Sequence, residues 1–264
     1  MKAEEKIVLA RILDLSSDYL AGGYKRNRNE YNFTDDPAEK PRLPLAYTTE
    51  ESVESDSDLI DTEKPIAAEI AECKACGLAA SRTNTVPGEG SQSPLVMVIG
   101  AGPGAEEEAK GRPFVGNAGQ LLDRMLASIG LYRGKNCFIA NMVKCRPPGN
   151  RDPEPSETAA CYPFLERQIL LLRPLVILCA GRVAAQNLLK TSEGINALRG
   201  KFTEIKIAET SIPVLPIFHP GEIIKDNKLR NPAWEDLKTL RSRLASMNSE
   251  YAASTVSFSD KTDA

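Results

Sequence analysis

Three short segments carry nearly unbroken apolar residues: PLVMVIG (94–100), NCFIANMV (136–143) and PLVILCAG (174–181). Runs of that length and composition predict strands buried on both faces. Between them the period lengthens. NAGQLLDRMLASIG (117–130) places Leu121, Leu122, Met125, Leu126 and Ile129 on one helical face. SETAACYPFLERQILLL (156–172) reads as a second helix, with Pro163 in conflict near its middle. A helix is expected over 182–190, and FTEIKIA and IPVLPIF supply two further strands. Asn231 followed by Pro232 predicts a helix start, a capping side chain before a proline in the first turn. That helix would carry Trp234, Leu237, Leu240 and Leu244. Strands alternating with helices predict a three-layer α/β/α fold around a mostly parallel sheet of four to five strands.

The ends of the chain read differently. Ile7, Val8, Ile12, Leu13 and Leu20 predict an amphipathic helix within 1–20. Residues 21–65 mix Gly, Asn, Pro and charge without period, and 50–63 hold seven acidic residues and no basic one. This is the pattern of a solvated, flexible linker. The folded domain is expected over 66–246, and the Ser-rich stretch 247–264 as a disordered tail.

Composition narrows the chemistry. In 264 residues the formal net charge is −3, which argues against a protein that coats nucleic acid through overall charge. No leader pattern opens the chain and no run of 18 apolar residues occurs, so a cytoplasmic protein without a membrane span is expected. A single histidine, His219, rules out a metal site built on two or three imidazoles from one chain. Six cysteines are present. Cys137 and Cys179 sit inside predicted strands and read as core. The other four are the closely spaced pair Cys73 and Cys76, then Cys145 and Cys161. In a reducing compartment such a set points to a metal held by thiolates. Four thiolates hold either zinc or a 4Fe–4S cluster. The loose loop between Cys145 and Cys161 leans toward iron–sulfur. Closing it would hold Arg146 and Arg151 near the edge of the sheet.

Ligands in open α/β sheets bind beyond the carboxyl ends of the strands. GAGPG (100–104), Asn141 and His219 all fall at that edge. GAGPG lacks the lysine of a triphosphate loop and the spacing of a dinucleotide fingerprint. Together with GRPFVGNAGQLL, NMVKCRPPGNR and HPG, it resembles the type-4 uracil-DNA glycosylases, the iron–sulfur members of the uracil-DNA glycosylase superfamily. The resemblance covers roughly residues 66–245.

That resemblance implies hydrolysis of the N-glycosidic bond of deoxyuridine in DNA, single- or double-stranded, by a monomer. It also implies a 4Fe–4S cluster on Cys73, Cys76, Cys145 and Cys161, with a structural role. Uracil would stack on Phe114 and pair through N3–H and O4 with the amide of Asn141. Its O2 would accept from His219 and from backbone N–H groups among Gly102, Pro103, Gly104 and Ala105. Arg112, Lys144, Arg146, Arg151, Lys225, Lys228 and Arg230 are candidates for a basic rim on phosphate. Ile223, Ile224 and Leu229 are candidates for a wedge into the stack. Residues 1–65 are a candidate docking segment for a repair or replication partner.

One position departs from the family pattern. Ala101 stands where the family carries a glutamate that orients the attacking water. Losing a general base costs roughly 10²–10⁴-fold in rate. Two readings follow. In the first, activity is retained, with Glu106, Glu107 or Glu108 and the backbone positioning water. In the second, the protein binds uracil or damaged DNA and cleaves it poorly. A zinc-holding interaction protein without a nucleic-acid role is a third reading. No Arg/His insertion follows HPG, so covalent capture by His219 is not expected.

Overall fold

The computed structural model describes residues 63–259. The helix expected within 1–20 and nearly all of the acidic linker lie outside those residues.

Helix α1 (Glu63–Glu72) opens the described chain and buries Ile66 and Ile70. There follow β1 (Glu89–Gly90), β2 (Val96–Gly100), α2 (Ala105–Lys110), α3 (Asn117–Ala127) and β3 (Cys137–Asn141). Next come α4 (Pro155–Leu172), β4 (Val176–Ala180), α5 (Arg182–Leu189), α6 (Ile195–Leu198), β5 (Thr203–Ile207) and β6 (Thr210–Ile217). The last elements are α7 (Pro220–Lys225), α8 (Arg230–Met247) and α9 (Ser249–Ser259).

The sheet has six strands in the order β1-β3-β2-β4-β6-β5. The four inner strands are parallel, while β1 and β5 pair antiparallel at the edges. The expected count of four to five is therefore exceeded. The two-residue β1 is too short to register as a hydrophobic period.

Alternation along each inner strand divides the core. Val96, Val98, Ile139, Leu178 and Leu215 face one layer with Leu122, Leu126, Leu237, Leu240 and Leu244. Met97, Ile99, Phe138, Ile177 and Val214 face the other, against Leu165, Ile169, Leu172, Ala184 and Leu188. Covering both faces explains why the strand sequences lack polar alternation.

Three local expectations change. Helix α4 runs through Pro163, which is exposed, as is Ala159 one turn earlier. The carbonyl that loses its partner there opens to water, while Leu165, Ile169 and Leu172 hold the helix down. Helix α8 begins at Arg230 after a short turn at Asn227–Leu229, so Asn231 is not its cap. Pro232 still lies in the first turn, where its missing N–H costs nothing. Within the tail expected to be disordered, Ser249–Ser259 instead form α9. Tyr251 is buried there, and its hydroxyl donates to the Ile129 carbonyl.

The chain runs from β2 outward to β3, then crosses back to β4 on the opposite side. The switch point lies at the carboxyl ends of β2 and β4, where such folds open a crevice.

Candidate active site

Four strand ends build the cleft. Its volume is ≈ 450 Å³, and its walls include Ala101–Gly104, Phe114, Asn141, Gly181, Arg182 and His219. Ala105, expected in this set, begins α2 and does not line the cleft.

Gly100 closes β2 directly opposite Asn141, the last residue of β3. A Cβ on Gly100 would lie 2.4 Å from Asn141 Oδ1 and 2.7 Å from the Phe114 ring. Glycine is thus what lets both side chains come together over the strand end. Asn141 is 2% exposed, yet its amide makes no hydrogen bond among the described residues. An amide without a protein partner that opens onto a cleft wall is available to read a ligand's edge.

Phe114 sits in a left-handed conformation (φ 52°) and is buried. That backbone is unfavourable for an aromatic residue, so neighbours must hold it. Arg133 does so from one side, donating to the carbonyls of Pro113 (2.6 Å) and Phe114 (2.8 Å). Glu107 does so from the other. Its Oε1 accepts from Val115 N (3.0 Å) and Gly116 N (3.2 Å), and its Oε2 from Gly104 N (3.1 Å). The Gly104 N–H is therefore committed to Glu107. The Phe114 ring lies 5.7 Å from the His219 ring, tilted by 31°.

His219 caps α7, its Nδ1 accepting from Gly221 N at 3.0 Å. An accepting Nδ1 leaves the proton on Nε2, so the neutral ring still has a donor to offer. Burial holds its pKa below the ordinary histidine value, against the pull of Glu222 and Glu107.

The three candidate glutamates separate. Glu106 is exposed and pairs with Lys110. Glu108 is buried and accepts from Thr83 N, with Arg146 3.4 Å away. Only Glu107 lines the cleft.

The expected basic rim is partly dissolved. Lys144 is 1% exposed and cannot meet a phosphate. Its Nζ donates to Asn141 O (3.0 Å) and Gln168 Oε1 (2.7 Å). Burial pushes it down to about 8, with the neighbouring Cys161 opposing. Arg112 grips Glu89 outside the cleft, and Arg146 holds Asn150 and Glu108. Arg151 lines the cleft while paired in a fork with Glu157. Lys225 and Arg230 are exposed and carry no ion pair among the described residues, and Lys225 lines the cleft. Sequence reasoning missed Arg182 and its partner Asp152, which both face the cleft. The position of Arg182, just beyond a strand's carboxyl end, was the available signal.

All four candidate metal ligands line a second, smaller cavity, together with Arg82, Lys144 and Phe164. Cys145 and Cys161 are buried, and Cys73 and Cys76 half-buried. Their sulfurs already collect donors. Lys144 N lies 3.3 Å from Cys161 Sγ, Arg82 Nη1 3.3 Å from Cys145 Sγ, and Ala75 N 3.5 Å from Cys73 Sγ. Burial raises the Cys145 and Cys161 pKa, while Arg82 and Lys144 respectively pull toward thiolate. No three Cys, His, Asp or Glu residues among the described ones form a group that could hold a metal ion as arranged.

The profile of the Uracil DNA glycosylase superfamily matches residues 87–238. The type-4 uracil-DNA glycosylase of Archaeoglobus fulgidus is 41% identical over 179 residues, 66% of this chain and 89% of that protein. The type-4 uracil-DNA glycosylase of Saccharolobus solfataricus is 42% identical over 186 residues, 69% of this chain and 86% of its own. That of Thermotoga maritima is 38% identical over 199 residues, covering 74% and 96% of the two chains.

Proposed function

Since this chain belongs to the uracil-DNA glycosylase superfamily and to its type-4 branch, we propose that it releases uracil from DNA. It would hydrolyse the N-glycosidic bond of deoxyuridine, leaving an abasic site and opening base-excision repair. The observation that carries the reading is the convergence of Asn141, Phe114 and His219 on one cleft at the switch point of the sheet.

Each residue then has a task. A nucleotide turned out of the stack brings its base into the cleft. Phe114 offers its face to the ring. The Asn141 Oδ1 accepts from uracil N3–H and its Nδ2 donates to O4, a pairing that cytosine cannot match in the same orientation. His219 donates from Nε2 to O2 as negative charge gathers on the departing base. A neutral imidazole suits this task, because it lends a hydrogen bond without requiring the site to hold a cation. Gly102 N–H can add a second donor, Gly104 N–H being engaged. Glu107 holds the Phe114 turn and places negative charge beside the cleft, where it would favour the cationic sugar. Base departure ahead of water attack asks little of a general base, which is compatible with Ala101.

The alternative of a binder that lost its chemistry at Ala101 is not favoured, since relatives 38–42% identical over most of their length are glycosylases by name. A zinc-holding interaction protein is left behind by the family membership.

We also propose that Cys73, Cys76, Cys145 and Cys161 hold a 4Fe–4S cluster. The donor set suits it, with four sulfurs around one cavity, N–H groups on three of them and two cationic side chains beside them. Bound there, the cluster would supply a cross-link between α1 and the 145–161 loop. Arg182, Lys225 and Arg230 are proposed as the phosphate contacts.

Product analysis tests the activity. Incubation with a uracil-containing oligonucleotide should yield free uracil and an alkali-labile site, with none from the matched cytosine oligonucleotide. Intact uracil strands after prolonged incubation with iron-loaded protein would overturn it.

A further inference from the structure

The ammonium of Lys144 is buried, and both of its partners are neutral oxygens, the Asn141 carbonyl and the Gln168 side chain. No carboxylate pairs with it among the described residues. A buried cation without a counter-charge is strongly destabilising. The anion-forming groups nearby are the thiols, since Lys144 lines the four-cysteine cavity and its backbone N–H lies 3.3 Å from Cys161 Sγ. The other end of its contacts belongs to the cleft. The residue whose carbonyl it holds is the one whose free amide faces the ligand. Between them the chain is pinned to the last residue of β2 and to the loop after it, through Met142 N to Gly100 O and Val143 N to Ala101 O.

We propose that Lys144 is a positioning residue that ties the four-cysteine site to the base-reading amide of Asn141. Its ammonium is at once the counter-charge of the thiolates and the anchor of the Asn141 backbone. This rests on the reading of that site as a cluster and of Asn141 as the uracil reader. Gln168 completes the tie. Its Nε2 donates to the Pro87 carbonyl, so its oxygen is aimed at Lys144. A lost Lys144 would leave the Asn141 carbonyl and the Gln168 oxygen without their partner in a buried setting.

The test uses full-length protein purified anaerobically, with Lys144→Met, Lys144→Arg and Gln168→Leu, and Lys144→Met again in an Asn141→Ala background. Binding is read with an oligonucleotide carrying 2′-fluoro-deoxyuridine, which resists cleavage, against its cytosine counterpart. Iron and labile sulfide are followed over time in air. Lys144→Met should lower the preference for uracil by about tenfold, the scale of one lost buried partner, and should shed iron faster than wild type. Lys144→Arg should recover part of both effects, and Gln168→Leu should show both more weakly. In the Asn141→Ala background Lys144→Met should have no further effect on preference, because contacts acting through one residue are not additive.

Wild-type preference and iron retention in Lys144→Met would overturn the proposal, as would an equal loss in both backgrounds. Should Lys144→Met fail to fold, wild-type behaviour of Gln168→Leu overturns it. Wild type that binds both oligonucleotides alike would instead sink the Asn141 assignment. Iron retention would then still decide whether Lys144 serves the cysteine site.

Discussion

The Nδ1 of His219 accepts the Gly221 N–H at 3.0 Å, which fixes the imidazole as a donor through Nε2. Burial lowers the pKa of the ring below 6.5, so the neutral donor is the form favoured by the fold. The pH at which half of the activity is lost to His219 protonation, which also ends the role of Nδ1 as acceptor, should therefore lie below 6.5. The stability owed to burying the neutral ring follows the same sign. It is complete above the unfolded value and lost as pH falls through the folded one. The chain has one histidine, so its imidazole resonances in a pH titration need no assignment. A midpoint at or above 6.5 would contradict this account.

The left-handed turn at Phe114 depends on Arg133 and Glu107, neither of which needs to touch the base. Arg133→Gln removes the donors to the Pro113 and Phe114 carbonyls. It should lower kcat/KM by about 10–100-fold, as expected when a positioned ring is set loose. Steady-state kinetics on a uracil oligonucleotide checks this, with circular dichroism to show that the fold survives. Unchanged kinetics would mean that the turn is held without Arg133, by the Glu107 carboxylate and by Gly119 pressed against the Phe114 backbone.

Of the three candidate wedges, the structure separates one. Ile223 is 2% exposed and packs from α7 inward against Phe218 and Ala233, Leu229 is half-buried, and Ile224 is 46% exposed beside the cleft residue Lys225. Ile224→Ala should slow release from duplex DNA by roughly tenfold, the cost of a lost apolar contact in the stack. Single-stranded substrate should be nearly unaffected, because there is no stack to replace. Equal loss on both substrates would remove Ile224 from that role.

Helix α9 is part of the fold. Tyr251→Ala should destabilise the protein by about 3 kcal/mol or more, as for other large buried aromatics. Tyr251→Phe, which loses only the bond to Ile129 O, should cost about 1 kcal/mol. Denaturant melts of the two variants distinguish packing from hydrogen bonding, and an unchanged midpoint for Tyr251→Ala would contradict the docking.

Periodicity exposed the inner strands and most helices because burial on both faces leaves an unbroken apolar signature. It missed β1, which is two residues long. It also missed α9, whose Ser-rich sequence is anchored by Tyr251. Cleft residues at or just past the end of a strand, such as Asn141 and His219, were legible from place and chemistry. Lys144 was misread because a lysine in a polar, arginine-rich segment looks like surface. Only the fold reveals that its stem runs inward to Gln168, 24 positions away. Arg182 and Glu107 were obscured for a related reason. Their parts depend on neighbours brought from distant stretches of chain, Asp152 for the one and the Phe114 turn for the other.

The most direct test of the central claim is single-turnover release of uracil by cluster-loaded protein, with Asn141→Ala and His219→Ala measured beside it. Each variant should fall by roughly 10²-fold or more, the scale of one lost charge-stabilising donor or base-reading group, while iron content stays at the wild-type level. Release that survives both substitutions unchanged would mean that the cleft formed by Phe114, Asn141 and His219 is not where the bond is broken.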